Sequence, residues 1–288
     1  MSSVPSVDEE HILEVIRKAG HDVYAIRLGM KPQIDDIPYV VLSHEVYPGV
    51  EAHLFTIADI ALWLPAFDEQ GNVVLYRSRE IDESAVDPNS EEARSAAWDR
   101  LLTAVERVTE LLTSYKESVD RGLIPETIWA HHQGQWHFGL REAPDHKAPP
   151  VDIFIDYVDL SIRPLIRELN ELGFATKESC SGLLDEHPDR EPYRPYVMFD
   201  DRVYLDMSAH LYTLADITQW IPGPGPHGFD VRIQQGANED NPKAWNRLIS
   251  GARTLSPLLQ EYRALVGEKD GLYRKLREQR GFLNRPDH

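Results

Sequence analysis

The sequence predicts an α/β (α+β) protein made from an internally duplicated unit, helix-strand-strand-helix-strand-helix, whose two copies form a pseudo-two-fold pair. Three observations carry that expectation. Residues 38–65, "PYVVLSHEVYPGVEAHLFTIADIALWLP", align without a gap on residues 195–222, "PYVMFDDRVYLDMSAHLYTLADITQWIP", at a constant offset of 157 with 14 of 28 positions identical. The match resumes where "AAWDRLL" (96–102) meets "KAWNRLI" (243–249). Both copies also open alike, each placing an Asp before an apolar pattern of helical period that stops at a glycine, Asp8 to Gly20 and Asp159 to Gly173.

Taken in chain order, the first helix of each copy is expected near 9–19 and 160–172, with Asp8 and Asp159 as N-caps and the glycines as C-terminal stops. A strand follows ("DVYAIRL"; "FATKES"), then a second ("PYVVL"; "PYVMF"). A short apolar segment holding "AHLFT" or "AHLYT" leads to a helix around "ADIALWLP" or "ADITQWIP". There Thr56 and Thr213 stand three residues before Asp59 and Asp216, the spacing of a capping box. A third strand ("NVVLYRS"; "FDVRIQQ") precedes a long amphipathic helix that begins near Trp98 or Trp245. Pro257, opposite Glu110 of the first copy, is expected to kink the second long helix.

This divides the chain into a first repeat (1–119), a connector (120–150), a second repeat (151–270) and a basic tail (271–288). In the tail, "GLYRKLREQRGFLNRPDH", the expectation is a solvated helix end, with contact to phosphate as the competing reading. The connector is rich in Pro, His and Trp. Its His131, His132, His137 and His146 match no recognised ligand spacing, so no metal site is expected.

Composition excludes several classes of function. Hydrophobic residues make up 42% and charged residues 27%, enough apolar mass for packed cores and unlike a disordered chain. The formal net charge of −18 repels polyanions on average and slows non-specific approach to nucleic acid. No stretch reaches bilayer-spanning length, and the N-terminus lacks a basic region followed by an apolar run. One cysteine in 288 residues permits no internal disulfide and no four-cysteine zinc site, which fits a cytoplasmic protein.

The two copies differ most at "KESCSGLLDEH" (177–187), where the first has "AIRLGMKPQID". Small residues after a strand, Ser179-Cys180-Ser181-Gly182, let successive backbone N–H groups point into a concavity with two hydroxyls beside them, an arrangement that suits a carboxylate or phosphate. The competing reading is a tight turn with a partly buried thiol. Cys180 becomes a nucleophile only as a thiolate, which takes a positive neighbour or a histidine base, and Lys177 and His187 are the nearest in sequence. His53 and His210, flanked by Ala and Leu in both copies, read as core residues, with His210 also a candidate general base. Tyr196 and Arg202 complete the candidate ligand-binding set with Ser179, Ser181 and Gly182.

The segment "VDLSIRPLIRELNELGFATKESCSG", followed by "PYVMF", "FDVRIQQ" and "AWNRLI", resembles the methyltransferases of wybutosine synthesis, which act on a modified guanosine beside the phenylalanine anticodon of archaeal and eukaryotic tRNA. The similarity covers roughly residues 151–262. It implies S-adenosylmethionine-dependent methyl transfer to an RNA or nucleotide substrate, tRNA among them, with Ser179, Cys180, Ser181 and Gly182 at the family's motif positions. The alternative expectation is a non-catalytic module with a duplicated fold, binding a small anion, a nucleotide or another protein.

Overall fold

In the computed structural model the chain is a mixed α/β protein, with two four-stranded antiparallel sheets among the described residues. The described residues are 8–28, 37–78, 90–123, 147–186, 194–225, 230–236, 240–268 and 271–280. His187 and the connector histidines lie outside them. Among the described residues no helix is long and apolar enough to cross a membrane.

The first helix, α1 (Glu9–Lys18), starts where expected because Asp8 accepts the Glu10 N–H at 3.0 Å and the acids Glu9 and Glu10 face the positive end of the helix. Its Ile12 and Ile16, four residues apart, are buried. It ends at Gly20, whose φ of +81° is open to glycine at little cost. Strands β1 (Val23–Arg27) and β2 (Tyr39–Leu42) pair antiparallel, with a bulge that leaves Tyr24 without a cross-strand partner. Helix α2 (Val50–Ala61) is buried along almost its whole length. Strands β3 (Leu64–Phe67) and β4 (Val73–Tyr76) complete a sheet of order β1-β2-β4-β3, and α3 (Glu91–Leu111) and α4 (Thr113–Asp120) follow.

The second copy repeats this plan. A short helix α5 (Val151–Phe154) and a 3-10 turn (Ile155–Tyr157) lead into α6 (Arg163–Glu171), which stops at Gly173 with φ +84°. Then come β5 (Thr176–Cys180), a 3-10 turn (Leu184–Glu186), β6 (Tyr196–Asp200), α7 (Met207–Ile217), β7 (Ile221–Pro224), β8 (Asp230–Gln234) and α8 (Asn241–Leu258). The sheet order is β5-β6-β8-β7 with every pair antiparallel, and the β5–β6 pair carries the same bulge, here at Lys177. Helices α9 (Gln260–Gly267) and α10 (Leu272–Arg280) end the described chain.

Equivalent residues make equivalent contacts. Trp63 donates its indole N–H to the Ala97 carbonyl at 3.1 Å and Trp220 donates to Ala244 at 3.2 Å. The facing tryptophan rings lie 4.7 Å apart for Trp63–Trp98 and 5.1 Å for Trp220–Trp245. Aromatic pairs of this kind add about 0.5–1.5 kcal/mol to the burial of their area. They fasten the long helix of each copy to the end of its central helix.

Four expectations need correction. Each sheet has a fourth strand, β3 or β7, that begins within the last two residues of the stretch read as the central helix and runs two residues beyond it. A short apolar run does not distinguish strand from helix by period, and the prolines of "LPAF" and "IPGP" are tolerated because both strands lie at a sheet edge. The central helices start earlier than expected, so Thr56 and Thr213 are buried within them and cap nothing; the N-cap positions are Gly49 and Asp206, both left-handed at φ +78° and +60°. Asp159 does not cap α6, whose N-cap is Ile162. Finally, both long helices break at the same place, Leu112 and Leu259, although only the second copy has a proline nearby, so Pro257 does not account for the break.

The chain forms two compact units whose limits differ from those of the repeats. One comprises Met1–Glu110 with Glu261–His288, the other Leu111–Gln260. Within the first unit α10 packs on β3, and Tyr273, 2% exposed, donates to the Trp63 carbonyl at 3.2 Å. Tyr273, Arg274 and Leu276 of the basic tail are therefore buried rather than solvated, while Leu272 and Lys275 stay exposed. Within the second unit α4 packs on α7.

Candidate functional site

The Ser179–Gly182 turn lies where β5 ends. Gly182 sits at φ +72°, and a Cβ built on it falls 2.6 and 2.7 Å from Pro195 side-chain carbons. Both the backbone conformation and the lack of space require glycine here. Packing thus accounts for this residue without a ligand.

The Ser181 amide and the Leu183 amide just beyond the turn are engaged by the protein itself. Asp159 accepts the Ser181 N–H at 2.7 Å, and Ser181 Oγ accepts the Leu183 N–H at 3.2 Å. Glu186 bridges back to Ser161, accepting its amide at 3.0 Å and its hydroxyl at 2.7 Å. Burial, the largest single influence on Glu186, pushes its carboxyl up. The hydrogen bonds from Ser181 and Ser161 outweigh it, so Glu186 lies below its ordinary value and is charged at neutral pH. Two carboxylates consequently stand where an anionic ligand was expected, and their field opposes one.

Strand alternation separates the candidate residues. Cys180 and Glu178 share one face of the sheet, while Ser179 lies on the other, in register with Val197. Cys180 is 7% exposed and stands opposite Tyr196. Tyr196 donates its hydroxyl to Glu178, and the Arg232 guanidinium lies 4.0 Å from the centre of its ring. Burial first, then Glu178, pushes the Tyr196 phenol well above its ordinary range.

Arg202 belongs to the far end of β6, beyond Asp200. Strand geometry puts Tyr196 and Asp200 about 13 Å apart along the strand. Arg202 forms a two-pronged pair with Asp200 at 3.0 Å per contact, and these bonds raise it above its ordinary value against the opposing effect of burial. Next to it Lys177 bonds Asp230, which is in register with Asp200. The bulge delivers Lys177 to this ion pair, so it is engaged away from the thiol for which it was a candidate activator. His210 is fully buried on α7, which packs on β7 and β8, two strands removed from β5. Its Nδ1 lies 3.3 Å from the Tyr204 hydroxyl.

The same histidine pair occurs in the copy that lacks the serine-cysteine turn. There His53 Nδ1 lies 3.3 Å from Tyr47 Oη, with ring centres 5.6 Å apart and an interplanar angle of 32° as in the His210 pair. Sequence reading missed Asp159, Glu186, Glu178, Arg232 and Asp230 as the partners that organise this region. No protein-family model, curated protein or solved structure matches the chain.

Proposed function

We propose that the second unit is a non-catalytic interaction module whose working region surrounds the Ser179–Gly182 turn, and that its partner is cationic. The observation carrying this reading is the Asp159 carboxylate on the Ser181 amide. It holds the donor that a phosphate or carboxylate would need, and it brings negative charge to a turn already flanked by Asp185 and Glu186. Supporting it, Lys177 and Arg202 are each paired with a buried carboxylate, so neither offers an uncompensated positive charge.

The second reading is S-adenosylmethionine-dependent methyl transfer to an RNA or nucleotide substrate. It is favoured by Cys180 sharing a sheet face with Tyr196 immediately before the turn that carries the resemblance. Calorimetric titration with S-adenosylmethionine separates the two. The module reading expects no heat from the wild type. Saturable heat that disappears in Cys180→Ala and Ser181→Ala would overturn it.

A further inference from the structure

Large apolar side chains stand in solvent beside this turn. Tyr157 is 91% exposed, Leu160 71%, Ile153 67% and Leu183 36%. They lie on two short segments tied together by the Asp159–Ser181 and Glu186–Ser161 hydrogen bonds. Single exposed apolar residues need no explanation, but four on one fastened pair of segments form a patch.

Its surroundings are acidic. Residues 151–163 and 181–186 hold Asp152, Asp156, Asp159, Asp185 and Glu186 against Arg163, with Arg167 one turn further on, so the balance is net negative. The Asp152 and Asp156 side chains, 77% and 87% exposed, pair with Arg167 at 3.2 Å and Arg163 at 3.6 Å, and Arg163 also donates to the Val158 and Asp156 carbonyls. An apolar centre within a ring of carboxylates fits an apolar segment rimmed with basic residues. The same ring repels a second copy of itself across a two-fold contact, an anionic membrane surface and nucleic acid.

We infer that the patch of Ile153, Tyr157, Leu160 and Leu183 is the docking site for a basic amphipathic segment of a partner protein. This rests on the module reading above and names the partner's chemistry. The apolar side chains supply the contact area. The carboxylates set orientation and favour cationic partners, and their contribution falls with added salt.

The test titrates the full-length protein with a fluorescent amphipathic peptide of Leu and Lys, about 18 residues or roughly five helical turns. Its counterpart with Glu in place of Lys is titrated alongside. The Lys peptide is expected to bind the wild type, and the pair of changes Tyr157→Ser and Leu160→Ser to weaken binding at least about tenfold. Leu183→Ser, at a second place on the patch, is expected to weaken it as well. Far-UV circular dichroism and the urea midpoint verify that the variants fold. Equal affinity of wild type and double variant, or equal binding of the Glu peptide, overturns the inference. Sedimentation of wild type but not variant with zwitterionic vesicles overturns it in favour of a membrane. S-adenosylmethionine titrated into the same preparation keeps the two failures apart: absent peptide binding without that heat sinks only the docking site, whereas that heat sinks the module reading.

Discussion

Asp159 and Ser181 are joined by a 2.7 Å hydrogen bond from a backbone amide to a carboxylate, across 22 residues of sequence. A bond to a charged acceptor contributes about 1.5–3 kcal/mol, and losing the acceptor leaves the amide of a buried residue unsatisfied. Asp159→Ala should therefore destabilise the protein by about 2 kcal/mol. Asp159→Asn, whose carbonyl still accepts, should cost clearly less. Urea unfolding of both variants measures this, and equal losses would mean that the carboxylate serves some other purpose.

Gly182 and Pro195 give a second expectation. Gly182→Ala places a methyl group against the proline ring at a φ of +72°, so two penalties add. The expected loss is about 2–4 kcal/mol. Adding Pro195→Ala removes the ring carbons but not the backbone strain, and should recover only part of it. Full recovery in the double variant would assign the whole cost to the clash.

The histidine pairs predict parity. Tyr47→Phe and Tyr204→Phe each remove a hydroxyl 3.3 Å from a buried imidazole in matching geometry, and each should cost about 1 kcal/mol in unfolding experiments. A much larger loss at Tyr204 would single out His210 for a task that His53 does not share.

How much of this was legible in the sequence depended on whether the signal was local. The α1 cap at Asp8 and the stops at Gly20 and Gly173 follow from side-chain reach and backbone conformation within a few residues, and each is found where the pattern put it. The edge strands β3 and β7 escaped notice because their pairing with β4 and β8 is what makes them strands. Asp159 shows the same limit at the candidate site. Next to a helical pattern it reads as an N-cap, but its carboxylate bonds an amide that only the folded chain brings near. Lys177 likewise looked like a neighbour of Cys180, until a bulge and a buried aspartate drew it to the other end of the sheet. Sequence proximity does not fix which face of a strand a side chain serves.

A left-handed position offers a stabilising change. Gln219, exposed, has φ +55° between α7 and β7, and Leu62 occupies the matching position at +58°. A side chain pays roughly 1–2 kcal/mol in this region, which glycine avoids, although glycine also frees the unfolded chain. Gln219→Gly should gain about 0.5 kcal/mol and Gln219→Val should lose more than that. The order of the urea midpoints, Gly above Gln above Val, is the check.

Lys116 gives the protein's stability a distinctive pH dependence. It lies on α4 in the second compact unit, half-buried, and burial pushes its ammonium from 10.5 down to about 8 while the Asp120 charge pulls it partly back. Because the folded value is below the unfolded one, the folded chain binds this proton less tightly, and protonation favours unfolding. The cost is fully present below pH 8 and fades as pH rises from about 8 through 10.5. Lys116→Met keeps the length of the side chain and removes the charge. It should be more stable than wild type at neutral pH, with an advantage that shrinks across that window. Comparing the two proteins at each pH cancels the titration of every other lysine and tyrosine, so the difference curve isolates this group. A variant that is less stable at neutral pH, or an advantage that does not change with pH, would show that burial does not disfavour the Lys116 ammonium in the folded protein.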